Sequence, residues 1–322
     1  MKKRGISIIV LVIIAVIVTV IVVDFLNNRP SRLGKNPYAY NMDVYKQVDP
    51  ELVHFKETRN ISLSDRNAKG IDLFNGDLYL VGDGFLQVIT SAGVQKMLLS
   101  IDGEPTCLKV NEERICIGYK SHLRSLDHKG TILADWDDLG ERTVITSIAL
   151  KDDKVYAADA GNRRVLIYNS EGELLDAFEG KATSDAGHGF IIPSANFDLV
   201  VNAYGELWVV NPGKHAIENY TDDGVMRGYW QKSTMNVEGF AGCCNPAEIA
   251  VTPEGWFVTS EKGLVRIKVY DASGKLRSVV AGPDKFKEEG KAPEIVVDEK
   301  GVVYALDFDK RMIRIFEPKE AV

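Results

Sequence analysis

Two adjacent cysteines stand in the most unusual stretch of the chain, VEGFAGCCNP at residues 237–246. The glycines and the proline around Cys243 and Cys244 predict a compact loop, with Phe240 as its apolar anchor and Asn245 beside the sulfurs. Three arrangements fit such a pair: a vicinal disulfide, a metal site, or two buried free thiols. Adjacent Cα atoms lie about 3.8 Å apart, below the usual disulfide window of about 4.4–6.8 Å. A disulfide here is therefore expected to be strained, easily reduced and suited to a ligand platform or a redox switch.

Two histidines are further candidates for binding or acid–base chemistry. His188 falls in a long polar connection and His215 in the short loop NPGKH. Because neither has an evident partner in the sequence, a structural role competes with a role as ligand or base. Cys107 and Cys116 fall in apolar runs and are expected to remain buried free thiols.

The placement of these residues depends on a sixfold repeat of apolar runs. Each unit has a strand-like run, a turn, a second run, a short loop and a third run, with no long helical pattern between them. Successive units begin 36 to 51 residues apart, near the period of four-stranded propeller blades. In the first five units a glycine follows the third run, as a hairpin turn requires. The pattern predicts an all-β, six-bladed propeller.

Closure of the ring follows from what the sixth unit lacks. It ends after three runs, whereas residues 54–63 (HFKETRNISL) form an unassigned strand-like segment before the first unit. An open sixth blade would expose two sheet edges. We therefore expect the N-terminal segment to supply the outer strand of the last blade.

Three connections between blades are long, at about residues 179–196, 231–247 and 282–293. Loops of this length tend to be functional. In a propeller the blade-to-blade connections share one face around the central channel, so all three are expected together there. This arrangement places the Cys243-Cys244 loop at the mouth of the channel.

The third unit, DAGNRRVLIYNSEG at residues 159–172, resembles the NHL repeat, with its acidic residue, Asn, Arg, apolar strand and glycine turn. Residues 307–316 (DFDKRMIRIF) are a second good match, and the resemblance extends over about residues 54–316. The GCCNP phrase is similar to a signature of exported NHL-type propellers of bacteria. These resemblances imply the architecture rather than an activity, since such propellers include binding modules, lactonases, lyases and scaffolds.

Five polar residues recur at equivalent positions just after the second run. Their oxygens suit either a divalent cation in the central channel, as in gluconolactonase-like propellers, or a brace to the loop backbone. The cation reading implies a metal-dependent hydrolase or lyase, although no named nucleophile or base accompanies it. These candidates are Asp159, Asn211, Glu261 and Asp307, with Asn162 beside the first.

The N-terminus predicts a membrane anchor. Met-Lys-Lys-Arg precedes 19 apolar residues, 5–23, interrupted only by Ser7 and Thr19, which is enough helix to cross a bilayer core of about 30 Å. We expect an uncleaved single-pass anchor over residues 1–24, a tether over 25–53 whose tyrosines dock on the propeller, and the propeller over 54–322. The basic residues favour a cytoplasmic N-terminus and a propeller on the other side, periplasmic or extracellular.

The net charge of the chain limits the classes of binding partner that are expected. The formal charge of the chain is −7, and leaving out Lys2, Lys3 and Arg4 makes the remainder −10. Such an acidic domain argues against nucleic acid. The sequence favours a binding or scaffold module for an extracytoplasmic protein or small molecule; a metal-dependent enzyme and a redox protein that uses the vicinal cysteines are the alternatives.

Overall fold

The computed structural model describes residues 2–27, 41–63, 66–181 and 189–319. The chain divides into two compact units, residues 1–44 and 45–322. The first contains helix α1 (Lys2–Asn27). Its stretch Val10–Asn27 is long and apolar enough to cross a membrane, with none of it buried, so the structure offers one candidate span among the described residues. A short helix α2 (Asp43–Lys46) and a 3-10 turn at Pro50–Leu52 lead into the propeller.

The second unit is a six-bladed propeller, as predicted. Each blade is an antiparallel sheet of four strands, and the chain runs from the inner strand to the outer one in blades 1 to 5. The strands are, in blade 1, β2 (Ala68–Phe74), β3 (Asp77–Gly82), β4 (Phe85–Thr90) and β5 (Gln95–Ser100); in blade 2, β6 (Pro105–Val110), β7 (Ile115–Tyr119), β8 (Leu123–Leu126) and β9 (Ile132–Asp135); in blade 3, β10 (Ile145–Lys151), β11 (Lys154–Asp159), β12 (Arg164–Asn169) and β13 (Leu174–Phe178); in blade 4, β14 (Leu199–Val201), β15 (Leu207–Asn211), β16 (Ala216–Tyr220) and β17 (Met226–Gln231); in blade 5, β18 (Glu248–Val251), β19 (Phe257–Ser260), β20 (Ile267–Tyr270) and β21 (Leu276–Ala281); in blade 6, β22 (Glu294–Val297), β23 (Val303–Asp307) and β24 (Met312–Pro318), with β1 (Phe55–Ser62).

Strand β1 closes the ring, which confirms the prediction for residues 54–63. It pairs antiparallel with β24, with Phe55 opposite Pro318 and Ser62 opposite Met312. The Glu57 carboxylate accepts two hydrogen bonds from Arg314, at 2.8 and 2.6 Å. The last blade therefore contains strands from both ends of the propeller domain, and β24 is paired with a strand on each side.

The turn glycines hold neighbouring blades together. Each lies at positive φ in the turn between the third and fourth strands, where a side chain of the preceding blade packs against it. At Gly274, with φ of +79°, a Cβ atom would lie 2.6 Å from the Trp230 ring, so only glycine fits. The five pairs are Ile61 with Gly93, Leu99 with Gly130, Trp136 with Gly172, Phe178 with Gly224, and Trp230 with Gly274.

Blade 6 has no such turn, because its third and fourth strands come from opposite ends of the domain. At this seam the segment before β1 packs against β21 of blade 5. Val53 bridges Val279, and the Ser278 hydroxyl donates to the Leu52 carbonyl at 3.2 Å. The N-terminal segment thus fills the place that a turn glycine occupies elsewhere.

The core lies between the blades. Apolar side chains of adjacent sheets meet in continuous buried clusters, such as that of Leu78, Leu80, Ile313 and Ile315 between blades 1 and 6. Cys107 and Cys116 belong to this core as free thiols, and Cys107 lies opposite Gly118, as the sequence suggested.

Candidate functional site

The three long connections lie on the face that also holds the turns between second and third strands. We call this the upper face. They join β13 to β14, β17 to β18 and β21 to β22, and so lead into blades 4, 5 and 6. The predicted site residue His188 lies outside the described residues. The central connection, residues 232–247, contains the Cys243-Cys244 loop.

The candidate metal ligands are placed at the ends of second strands, where they hydrogen-bond to loops of their own blades. Asp159 accepts from the Val144 amide at 3.1 Å, and Glu261 accepts from the Ala241 amide at 2.8 Å. Asn211 accepts from the Ile191 amide at 2.9 Å. In all three cases the acceptor fixes the connection that leads into its blade, which is the bracing role that competed with a cation site.

An arginine of the third strand completes this brace in three blades. Arg164 donates to Asp159 at 3.0 Å and Arg266 to Glu261 at 2.9 Å, and Arg314 lies 3.4 Å from Asp307. Blade 4 differs, because Asn211 donates to Glu218 at 3.0 Å in place of an acid–arginine pair. Within the described residues, no group of three or more His, Cys, Asp or Glu side chains is placed to hold a metal ion.

Beneath the cysteine loop lies a fully buried ionic cluster of Glu261, Arg266 and Lys268. The glutamate oxygens lie 2.9 Å from Arg266 Nη2 and 2.7 Å from Lys268 Nζ. Burial alone would raise the pKa of Glu261, but the charges of Lys268 and Arg266 outweigh it and lower that pKa. Burial lowers the pKa of Lys268 to about 7, against the opposing attraction of Glu261. The carboxylate of this cluster is therefore stably ionised.

The same cluster holds the backbone of the loop above it. Arg266 immediately precedes β20, and Lys268 and Tyr270 follow at alternate positions of that strand, so the three side chains lie on the same side of the chain. They donate to consecutive carbonyl groups of the connection: Arg266 to Met235 (3.1 Å), Asn236 (3.2 Å) and Gly239 (3.1 Å), Lys268 to Val237 (3.2 Å) and Gly239, and Tyr270 to Glu238 (3.2 Å). Residues 235–239 are thus fixed at every peptide.

Phe240 is the next residue of the loop and is buried as an anchor. Its ring centroid lies 5.9 Å from that of Trp230 and 5.5 Å from that of Tyr270. Lys268 Nζ lies 4.8 Å from the Phe240 centroid, so a cation–π contact joins the ring to the ionic cluster. Phe240 therefore positions the loop and does not present its ring at the surface.

The cysteines follow in the exposed part of this loop. Cys243 is exposed and Cys244 is 4% exposed, and their sulfur atoms lie 3.0 Å apart as free thiols. Asn245 fixes the turn: its Nδ2 donates to the Ala241 carbonyl at 2.6 Å, and its Oδ1 accepts from the Lys262 amide at 2.9 Å. The bond from Asn245 to Pro246 is cis. Only one sulfur of the pair is thus open to solvent.

The two thiols have different electrostatic surroundings. Burial alone would raise the pKa of the Cys244 thiol, but hydrogen bonds from Cys243 and Ser194, together with the charge of Lys262, lower it. The Cys244 sulfur in turn raises the pKa of Cys243. Lys262 Nζ donates to the Ser194 hydroxyl at 2.7 Å. A thiolate is therefore stabilised at Cys244, while Cys243 keeps its proton.

His215 lies beside this loop on the upper face. Its backbone is left-handed, with φ of 54°, and burial lowers the pKa of its ring. Its Nδ1 atom is buried and has no hydrogen-bond partner among the described residues, although the Asn245 backbone lies near it. A neutral imidazole thus borders the cysteine loop.

A second group of acids lies inside the ring and was missed by the sequence analysis. Glu248 and Glu294 begin the inner strands β18 and β22, and Asp198 immediately precedes β14. Asp198 and Glu294 line a cavity of about 360 Å³ in the channel. Burial raises the pKa of all three carboxyl groups, and the charge of Asp198 raises those of the two glutamates further. These three acids could have been identified in the sequence from their equivalent positions at the start of three successive blades.

No family model matches the chain, and no curated protein matches it. Among solved structures, virginiamycin B lyase from Staphylococcus aureus is 14% identical, with a TM-score of 0.57 over 82% of this chain and 99% of that one. The WD40 propeller domain of Doa1 is 9% identical, with a TM-score of 0.56 over 83% and 98%. The Pan2 WD40 domain of Neurospora crassa is 9% identical, with a TM-score of 0.54 over 86% and 98%. At these identities, the similarity concerns the propeller fold alone.

Proposed function

We propose that the protein is a membrane-anchored, extracytoplasmic NHL-type propeller that binds a protein or small molecule at its upper face, with the Cys243-Cys244 loop at the channel mouth. The observation that carries this proposal is the buried cluster of Glu261, Arg266 and Lys268. Burying an acid with two basic side chains is costly, and most of the hydrogen bonds that Arg266 and Lys268 donate hold residues 235–239. A loop fixed at this cost is preorganised for recognition.

Site-specific photo-crosslinking in cells that express the full chain tests the binding face. A photoreactive phenylalanine replaces Ser233 or Glu238 on the upper face, or Glu254 or Lys300 on the opposite face; all four residues are exposed. We expect adducts from the first two positions, and their mass distinguishes a protein from a small molecule. Adducts of equal yield from Glu254 and Lys300 would contradict a specific upper-face site.

The exposed thiol of Cys243 tests the location. A membrane-impermeant maleimide, added to intact cells after an impermeant reductant, is expected to label the wild type and not the double variant Cys243→Ser with Cys244→Ser. Permeabilising the outer envelope alone should suffice if the propeller is periplasmic. Labelling only after lysis of the inner membrane would show that the propeller faces the cytoplasm.

A redox role of the vicinal pair is the second candidate, favoured by the 3.0 Å separation of the sulfurs and by the stabilised thiolate at Cys244. In this role the pair alternates between the dithiol and a disulfide that opens with mild reductant. Alkylation of the native protein before and after reduction counts the change. Equal counts, or a bridge to Cys107 or Cys116, would contradict it.

A further inference from the structure

The redox candidate leaves open which sulfur reacts and with what kind of oxidant, and the surroundings of Cys244 bear on both. Cys244 lies shallowly under the surface and is only 4% exposed. A disulfide must align its two sulfurs with the attacking sulfur, which a bulky substrate cannot do at so enclosed an atom. A small oxidant can reach it beside the exposed Cys243.

Three groups around the Cys244 sulfur provide what a thiol-based redox reaction requires. Cys243, Ser194 and Lys262 favour its thiolate, which is the reactive form of a cysteine. Lys262 Nζ donates to the Ser194 hydroxyl at 2.7 Å, and this hydroxyl donates to Asn196 Oδ1 at 3.2 Å, so rotation of the hydroxyl would turn the pair into a donor chain towards Cys244. The Cys243 sulfur, at 3.0 Å, keeps its proton. A thiolate, a proton donor and a second thiol are thus assembled at one atom.

We propose that this site reduces hydroperoxides, with Cys244 as the attacking sulfur and Cys243 as the resolving one. This inference rests on the redox candidate above. The Cys244 thiolate attacks one peroxide oxygen, an S–O bond forms and the O–O bond breaks. The leaving alkoxide takes a proton from the Ser194 hydroxyl, which turns from Asn196 to donate it and regains one from Lys262. The product is an alcohol, or water from hydrogen peroxide, and a sulfenic acid on Cys244.

The second step closes the pair. The Cys243 sulfur attacks the Cys244 sulfur, the S–O bond breaks, and the hydroxide leaves as water with the Cys243 proton. Two thiols have then supplied two electrons to one peroxide, and a vicinal disulfide remains. A thiol reductant of the surrounding compartment restores the dithiol by exchange, since a bridge between neighbouring residues is readily reduced.

The experiment uses the full chain in detergent micelles, reduced and freed of reductant. Hydrogen peroxide or oxidised glutathione is added at equal concentration, the reaction is quenched by alkylation, and intact mass reports the disulfide. We expect hydrogen peroxide to form the bridge about tenfold faster or more. In Cys243→Ser the same peroxide should leave a sulfenic acid on Cys244 that dimedone traps, whereas Cys244→Ser should give little adduct.

Two variants test the donor chain. Lys262→Met and Ser194→Ala are each expected to slow the peroxide step about tenfold or more, in the range of general acid effects. Lys262→Met should also move the pH dependence of Cys244 alkylation to higher pH, a change that a purely structural role would not produce. Lys275→Met, an exposed lysine in a turn of the opposite face, is the matched control and should react as the wild type does.

The outcomes separate the two claims. Faster oxidation by glutathione disulfide, or dimedone adducts on Cys243 at the wild-type rate, would overturn the hydroperoxide inference and leave the redox candidate standing. An unchanged peroxide rate in both Lys262→Met and Ser194→Ala would overturn the proton donor and with it the proposed step. If neither oxidant changes the thiol count, the redox candidate itself fails.

Discussion

Glu261 and Glu248 are both enclosed by the propeller, yet their carboxyl groups have opposite preferences. Glu261 lies between Arg266 and Lys268, and these cations keep its pKa low. Glu248 lies with Asp198 and Glu294, and burial together with these like charges raises its pKa. The comparison teaches that burial alone does not fix the charge of an acid in this fold; its neighbours decide. The upper cluster holds a loop in place, whereas the raised pKa values of the channel cluster favour the protonated forms of its carboxyl groups.

Removing the upper carboxylate is expected to have the largest effect. Glu261→Gln leaves the buried Arg266 without a counter-charge and removes the attraction that favours the charged form of Lys268, so it should lower the free energy of unfolding by about 3–5 kcal/mol. Urea unfolding of the full chain in micelles, followed by tryptophan fluorescence, measures it. The double variant Glu261→Gln with Lys268→Met should recover part of the loss. A loss below about 1 kcal/mol for Glu261→Gln would mean that the cluster does not stabilise the fold.

Lys268 tests the cationic half of the comparison through pH. Its pKa is about 7 in the folded chain, against about 10.4 in an unfolded one. The folded state therefore disfavours the proton, and this group's contribution to stability is full above the unfolded pKa and lost as pH falls towards 7. Lys268→Met lacks this dependence. Relative to the wild type, it should gain stability between pH 9 and pH 7, by on the order of 1 kcal/mol or more.

Removing the carboxyl group of Glu248 should stabilise the protein, whereas removing that of Glu261 destabilises it. Its folded pKa is raised, so its favourable contribution is full below the unfolded pKa of about 4.3 and is lost as pH rises through the folded pKa. Glu248→Gln removes the penalty and should stabilise the protein at pH 7 by on the order of 1 kcal/mol, the equivalent of one pKa unit. Thermal unfolding at pH 7 and pH 4.5 is the measurement. An equal stability difference between Glu248→Gln and the wild type at pH 7 and at pH 4.5 would argue against a raised pKa of Glu248.

An exposed acid provides the smallest expected effect. Glu288 pairs with Lys46 at 2.6 Å, but its side chain is 75% exposed. Glu288→Gln should change the free energy of unfolding by less than about 0.5 kcal/mol, and less still at high salt. The same urea titration that measures Glu261→Gln serves here. A loss as large as that of Glu261→Gln would show that enclosure is not what separates the two acids.

The fold could be predicted because it depends on patterns that the sequence displays openly. Apolar runs, recurring turn glycines and the incomplete last unit were enough to place the blades and the closing strand. The predicted second runs beginning at Asp77 and Lys154 start β3 and β11 at those residues. The inner strands β18 and β22 also begin where the apolar pattern placed them, at Glu248 and Glu294, whereas those of blades 1 to 4 begin a few residues away, because apolar periodicity does not mark where a strand's hydrogen bonds end.

The site was predicted only in part. Glu261 was identified by its position, but its partners lie in RIKVY, residues 266–270, where basic and apolar residues alternate as in an ordinary half-exposed strand. The fold buries the side that carries Arg266 and Lys268, which pattern alone assigns to solvent. The influence of Ser194 and Lys262 on the pKa of Cys244 involves three separate loops, and no local sequence spacing contains it. Long-range contacts of this kind depend on how blades 4 and 5 meet.

The closing strand also sets an order of events during synthesis. Strand β1 is among the first parts of the propeller to be synthesised, yet its partner β24 is among the last. Arg314, which donates a hydrogen bond to Glu57, follows it by 257 residues in the sequence. Blades 1 to 5 each hold all four strands within one continuous stretch, so they can form as the chain lengthens. Until β24 has been synthesised, β1 lacks its pairing partner. A truncation that removes β24 would therefore leave β1 unpaired at the beginning of the propeller as well as shorten its end.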